Sequence, residues 1–411
     1  MEKDNYSKKA LHTRLPEPDP YGSLSMPVYN TLAFEYDSAE AMELAFTGKS
    51  NGFVYSRISN PTVFHFEEKI RAISGASSVT ALNSGMAAIS NAVLTLVQSG
   101  SNIITTRHLF GNTYSFFNAT LAGLGVETRF CNLGDFEQVE AAMDQHTAAL
   151  FLEIISNPQM EVADLVQLAT IAHRKGIPVI ADTTLIPPSH FKAAEWGIDI
   201  EVISSTKYIS GGGASLGGLI LDYGNFNWAN SATLTQLAEQ HGTNAFTFRL
   251  KREIHRNLGA YMTPQVAYQQ LIGLESMELR YRQSSATAAQ LAQYLSKANG
   301  VCCVNYNGLP ENPYYELSNR QFGTHPGAML TFDLGSKEAC FKWMNNLKLI
   351  RRATNLFDNK TLAIHPYTTI YGSYSPEAKE TMHIYDTTIR LSVGLEHIDD
   401  LIEDIQQALS Y

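Results

Sequence analysis

The chain has 411 residues, 44% hydrophobic and 17% charged, with 30 Lys and Arg against 40 Asp and Glu for a formal net charge of -10. That length and composition imply a globular protein of two or more domains and exclude disorder over most of it. The acidic balance, without any Lys/Arg-rich stripe, excludes a nucleic-acid footprint, so partners are expected to be small molecules or further copies of the chain.

Residues 1–55 carry Pro16, Pro18, Pro20 and Pro27 with little periodicity. They predict an extended or partly helical arm that docks, because proline suppresses both ladders and helix interiors. The N-terminus has no apolar core of a signal peptide, and no apolar stretch is long enough to span a bilayer, so a cytoplasmic protein with no membrane partner is expected. From Asn60-Pro61 onward, short apolar runs alternate with helical segments: Val79–Leu82, Asn102–Thr105, Ala149–Ile155, Pro178–Ala181 and Val202-Ile203. Strands separated by helices predict a mainly parallel sheet covered on both faces, here a large domain over 56–255. Helical periodicity returns in Pro264–Glu275 and Ser284–Lys297. Strands are then expected at Gly327–Leu334 and Ile389–Val393, and helices at Ser336–Leu347 and Ile398–Leu409, a smaller α+β domain over 256–411.

What ends each strand carries the chemistry. Asn83-Ser84-Gly85-Met86 follows the first run, Ser156-Asn157-Pro158 the Phe151 run, Asp182-Thr183-Thr184 the Val179 run, and Ser204-Ser205-Thr206-Lys207 the Ile203 run. Ligands of open α/β sheets lie outside the carboxyl ends of the strands, so these four ends are expected to converge on one site. A lysine at the end of a buried strand is costly to charge; its pKa falls and the neutral amine becomes a nucleophile or base, the chemistry of a Schiff-base lysine. Asp182 also ends an apolar strand, where a carboxylate needs a partner to stay ionised, and a protonated pyridine nitrogen is such a partner. The small-residue turn before the helix at Ala87 offers free N–H groups and a positive dipole end to a phosphate, although the same pattern caps ordinary helices. Lys207, Asp182 and that helix end meet the three demands of pyridoxal 5'-phosphate (PLP): capture of the aldehyde, charge on the ring nitrogen and anchoring of the phosphate.

Other chemistries fit less well. The glycines at 211–213 and 217–218 belong to no GKS or GKT, and no GxGxxG opens the first helix, so a Walker loop is excluded and a nicotinamide dehydrogenase is a weak rival. Cys131, Cys302, Cys303 and Cys340 form no CxxC and read as reduced thiols in or near the core. Histidines such as His241, His255, His365 and His383 show no ligand spacing, so structural histidines and no metal are expected.

Over about Tyr29 to Leu409 the chain resembles the Cys/Met-metabolism (trans-sulfuration) PLP enzymes. The matching stretches are Tyr55-Ser56-Arg57-Ile58-Ser59-Asn60-Pro61-Thr62, Ser156-Asn157-Pro158, Ser205-Thr206-Lys207-Tyr208, Gly273-Leu274-Glu275-Ser276-Met277 and Arg390-Leu391-Ser392-Val393-Gly394-Leu395-Glu396. Tyr306-Asn307-Gly308-Leu309-Pro310, the run from His325 to Phe332 and that from Lys360 to Pro366 are similar to the O-acetylhomoserine sulfhydrylase subgroup. The resemblance implies an α/β PLP-dependent transferase of fold type I. Lys207 would hold the cofactor covalently and shuttle protons, with Asp182 on the pyridine nitrogen. Gly85, Met86, Ser204 and Thr206 would hold the phosphate, joined by Tyr55 and Arg57 of a neighbouring subunit in a dimer that pairs into a homotetramer. Phe110 would stack on the ring, Asn157 would contact its hydroxyl and Thr184 would also touch the cofactor. Arg390 would bind the substrate α-carboxylate through a two-pronged ion pair, with Asn157 and Thr361 also at the substrate.

The chain departs from the family pattern at three places. Phe110-Gly111-Asn112-Thr113 replaces Tyr-Gly-Gly-Thr, Asp182-Thr183-Thr184 replaces Asp-Asn-Thr, and Gly212 replaces a histidine. The resemblance implies γ-replacement on an O-acylated homoserine by a sulfur nucleophile, giving homocysteine or methionine. Loss of the phenol at Phe110 should hurt departure of a basic thiolate more than departure of acetate. Methionine γ-lyase, cystathionine γ-synthase or lyase, and a PLP-binding paralogue that has lost catalysis are the alternatives.

Overall fold

The computed structural model describes residues 6–14, 19–324 and 326–410; Pro16 and Pro18 of the arm and His325 of the subgroup motif lie outside these. Seven strands form the larger sheet: β1 (Ser78–Leu82), β2 (Asn102–Thr105), β3 (Glu127–Phe130), β4 (Thr147–Glu153), β5 (Val179–Asp182), β6 (Ile200–Ile203) and β7 (Gly218–Asp222). Their spatial order is β1-β7-β6-β5-β4-β2-β3, with β7 antiparallel to both neighbours and the other pairs parallel. The near-continuous apolar runs of the sequence have a direct reason: β2, β6 and β7 are buried on both faces. Successive side chains of β4 divide between the two faces. Leu150 and Leu152 enter one apolar cluster, Ala149 and Phe151 the other.

Sequence patterning did not reveal β3, a half-exposed edge strand with mixed polarity, or β7. The latter follows β6 with no crossover helix, so the short connection between them folds straight back, and Lys207 sits in it.

A second sheet, in the order β10-β11-β12-β9-β8, joins β8 (Cys303–Asn305), β9 (Met329–Asp333), β10 (Arg351–Arg352), β11 (Leu362–Ile364) and β12 (Thr388–Ser392). The expected strands correspond to β9 and β12. The others span only two or three residues, too few for a period-2 pattern to register. The expected helices are present as Lys337–Asn346, capped by the Ser336 hydroxyl, and Ile398–Leu409.

The two helical stretches expected after residue 264 are one helix, Pro264–Leu295, started by the Thr263 cap and a proline in its first turn. No proline interrupts it after the first turn, and Met277, Arg280 and Tyr281 continue the buried stripe between them. It packs on the helix Pro61–Ser74 of the larger lobe and on β9 of the smaller one. One apolar cluster accordingly runs from Leu150 of the larger sheet to Leu330 and Leu391 of the smaller. Gly273 allows this close packing: a Cβ there would collide with the Ile209 carbonyl, two residues after Lys207. Among the described residues, no helix is long and apolar enough to cross a membrane.

Candidate active site

The ends of β1, β4, β5 and β6 do converge, on a cavity of about 230 Å³ closed on the far side by Asn355 and by Arg390 of β12. At one end of it lies the N-terminus of the helix Gly85–Leu96, capped by Ser84, whose hydroxyl accepts from Ala87 N. A Cβ on Gly85 would stand 2.7 Å from Ser204 Cβ and 2.8 Å from its Oγ, so only glycine lets this helix end meet the β6 end. The first N–H groups of a helix lack internal acceptors, and here they sit beside a second hydroxyl, that of Thr206. Thr206 Oγ1 donates to Gly217 O at 3.2 Å and accepts from Gly217 N at 3.0 Å, pinning the connection that carries Lys207.

Lys207 Nζ donates to Asn355 Oδ1 at 2.9 Å. Burial and the neighbouring Arg390 charge pull its pKa down to about 8, against the opposing pull of Asp182. The next residue fixes the turn: the Tyr208 ring stacks on Phe357 at 3.9 Å between centroids, and its hydroxyl accepts from Ala328 N at 3.1 Å. Asp182 accepts from Thr184 N at 2.9 Å, and Thr184 Oγ1 in turn accepts from Ser204 N at 2.8 Å. Burial raises the Asp182 carboxyl above its usual range.

The sequence reading missed Glu153, which pairs in register with Asp182 and also lines the cavity. Its carboxylate accepts from Phe110 N at 2.7 Å, and burial and the nearby Asp182 push it well up. An acid closing an apolar strand was the signal that singled out Asp182, and it applies equally here. Asn355 had no such signal, since it lies in an irregular stretch remote from Lys207 in sequence.

Arg390 is wholly buried, and no carboxylate pairs with it among the described residues. Nη1 donates to Asn157 Oδ1 at 3.0 Å, Nη2 to Asn355 O at 3.2 Å, and Nε has no partner. Burial draws its pKa down to about 10. An unpaired buried cation is costly unless an anion completes it.

The three departures fall in different layers. Phe110 lines the cavity, so the missing phenol is a change in the site itself. Thr183 points away from it, fully buried, and donates to Glu201, a carboxylate also bound by the Tyr223 hydroxyl. Gly212 adopts φ 125°, and a Cβ there would stand 2.6 Å from Asn359 Nδ2, whose amide bonds Gly211 O.

Three expected site residues are not brought into this group. Thr361 is fully buried, donating to Glu396 Oε2 and accepting from Gly394 N, so its hydroxyl is spent on bracing a loop. Tyr55 is exposed, and Arg57 bonds Arg256 O at 2.7 Å; neither lines the cavity of its own chain. Of the cysteines, Cys131 and Cys340 are buried as expected, whereas Cys302 and Cys303 are exposed.

An amine of lowered pKa, a carboxyl in the adjacent strand, an open helix N-terminus and an unpaired guanidinium suit an aldehyde cofactor with a ring nitrogen and a phosphate, together with an anionic substrate. The residues present therefore fit PLP.

Known proteins agree. A solved O-acetylhomoserine sulfhydrylase of Wolinella succinogenes is 46% identical, with a TM-score of 0.77 over 85% of this chain and 97% of that one. A crystal structure assigned as an O-acetylhomoserine (thiol)-lyase of Campylobacter jejuni, which holds a pyridoxyl-lysine phosphate, superposes with a TM-score of 0.92 at 31% identity, covering 99% of this chain and 100% of that one. The L-methionine gamma-lyase of Fusobacterium nucleatum is 35% identical over 411 residues, 100% of this chain and 99% of its own. The family model of the Cys/Met metabolism PLP-dependent enzymes matches residues 8–410, and the chain belongs to that family.

Proposed function

We propose that the protein replaces the γ-acyloxy group of an O-acylated homoserine with a sulfur nucleophile, forming homocysteine or methionine. The observation that carries this reading is Phe110: among the described residues, the wall this chain gives to the cavity offers a ring there but no phenol to protonate a leaving group. A reaction run there is best served by a group that departs without a general acid. Acetate is such a group, and a basic thiolate is not.

Bound PLP supplies an electron sink for the charge left when the α-proton is removed. The chain does the rest. Arg390, through its fork and the unpartnered Nε, holds the α-carboxylate, with Asn157 and Asn355 fixing the guanidinium plane. Lys207 would be the mobile base that takes the α-proton and then a β-proton, its amine oriented by Asn355 Oδ1. Asp182, steadied by Thr184 N, would hold the charge of the pyridine nitrogen, and Phe110 would give the ring an aromatic wall. Asn157 would also hold the ring hydroxyl. Gly85, Met86, Ser204 and Thr206 would hold the phosphate.

Tyr55 and Arg57 complete that cradle from a neighbouring copy, which makes the active unit a dimer, two of which form a tetramer. The exposed apolar residues Tyr21, Leu24, Leu32, Met42, Leu44 and Phe46 of the arm favour burial against another copy. Two adjacent, exposed and unbridged thiols, Cys302 and Cys303, favour the reducing cytoplasm.

The test is product formation by the PLP-loaded protein given O-acetylhomoserine with and without sulfide, with methionine in parallel. Sulfide-dependent homocysteine is expected. Formation of 2-oxobutyrate from methionine without sulfide, at a comparable rate, would make the protein a γ-lyase instead.

A further inference from the structure

Beside the cavity, outside its lining, three side chains from distant parts of the chain meet. His108 lies in the loop after β2, Glu161 in the return of the 154–162 segment that carries Asn157, and His383 in the turn between the helix Pro376–Thr381 and β12. His108 Nδ1 is 2.6 Å from Glu161 Oε2, and His383 Nδ1 is 3.8 Å from Glu161 Oε1. The two imidazole rings are 4.4 Å apart between centroids, and one donor atom from each residue falls within 4.8 Å of the other two.

Two imidazole nitrogens and a carboxylate oxygen are a ligand set for a borderline divalent ion, with a further position left open. Donor atoms around a tetrahedral zinc ion with bonds of about 2.0–2.2 Å are roughly 3.3–3.6 Å apart. That spacing lies between the two separations to the Glu161 carboxylate, and no pair of donor atoms is more than 4.8 Å apart, so a small convergence of the side chains would close the set. Both histidines pair with the one carboxylate of Glu161, His108 closely and His383 at 3.8 Å, so the two rings converge on a single acid. His383 is held at φ 54°, a left-handed conformation that costs a non-glycine residue energy, and it brings its ring against His108.

We propose that His108, Glu161 and His383 bind a divalent transition-metal ion such as zinc. Glu161 and His383 also line a cleft of about 370 Å³ that holds Cys303 and Asp333, and the open coordination position would be reached from it. The ion fastens the loops that present the reaction cavity. Glu161 N donates to Ser156 Oγ at 3.0 Å, next to Asn157. The residue after His108 is tied to Asn157 through the Tyr371 hydroxyl, which reaches Leu109 O and Asn157 O at 2.9 Å each. Residue spacing had suggested no metal, because the three ligands come from loops far apart in sequence.

The PLP-loaded protein, dialysed against a chelator and titrated with zinc by calorimetry, tests this, with anomalous scattering at the zinc edge to locate the ion. One ion per chain is expected among the three residues. His383→Ala and Glu161→Gln should each weaken binding by at least about tenfold, while Cys303→Ser leaves it unchanged. Zinc should raise the thermal midpoint of the parent but not of His383→Ala, whose exposed side chain is dispensable for folding. Absence of stoichiometric binding, equal affinity in the His383→Ala and Glu161→Gln variants, or an anomalous peak at Cys302 and Cys303 would overturn the proposal.

Discussion

Arg390 carries its charge inside the protein, hydrogen-bonded to the Asn157 amide oxygen and the Asn355 carbonyl, with no carboxylate against it among the described residues. If it holds the substrate carboxylate, Arg390→Lys keeps the charge but loses the planar fork. The expected result is a fall in kcat/KM of about 10²-fold, near 3 kcal/mol, mostly as a higher KM in steady-state assays. Lys207 gives a second prediction through its pKa of about 8. The neutral amine is the reactive form, so the rate at which cofactor-free protein captures PLP should climb with pH and level off above about pH 8, where an exposed lysine would go on gaining past about pH 10. Stopped-flow absorbance across that range measures it, and a rate still climbing near pH 9.5 would contradict a lowered pKa. At Phe110 the leaving-group argument is open to direct comparison. Phe110→Tyr should raise turnover of methionine strongly and that of O-acetylhomoserine by less than about threefold, whereas a large gain on both would sink it. Lys207 and Asp182 were legible as chemistry because each terminates an apolar run. Glu153 met the same criterion and was passed over.

At the scale of elements, the connection from β6 to β7 does most to place the reactive amine. It is held by Thr206 on Gly217, by Tyr208 on Phe357, and by the long helix pressing Gly273 against Ile209. Gly273→Ala pushes a methyl into a carbonyl, so a loss of about 1–3 kcal/mol is expected, together with lower activity because Lys207 moves with its turn. Thr183→Val separates stability from catalysis. It removes the hydroxyl donated to Glu201 but leaves the cavity wall intact, so it should cost about 1–2 kcal/mol in thermal unfolding and keep kcat/KM within about twofold. A larger catalytic loss would place Thr183 closer to the reaction than its buried position indicates. The union of two helical stretches into one, and the antiparallel β7, were decided by packing: neither departure breaks a local rule, and both bury surface that period alone leaves unassigned.

For the whole molecule, a proposed active site shared between copies makes a quantitative claim. Lys207→Ala and Arg57→Ala should each be nearly inactive alone, yet mixed and reassociated protein should recover about a quarter of parent activity, since half the dimers are mixed and each then holds one intact site. No recovery would return Arg57 to its own chain. The amino-acid sequence by itself determined the alternating α/β architecture, the larger sheet's parallel core, the PLP dependence and the family, because these rest on local periodicity and on short motifs at strand ends. Only the tertiary structure decided that Asn355 joins Lys207 to Arg390, that Thr361 braces a loop, that Thr183 turns away from the cavity, and that His108, Glu161 and His383 meet. Those outcomes depend on which distant segments pack together and which face a side chain takes, and contacts between remote residues leave no period in the chain to read.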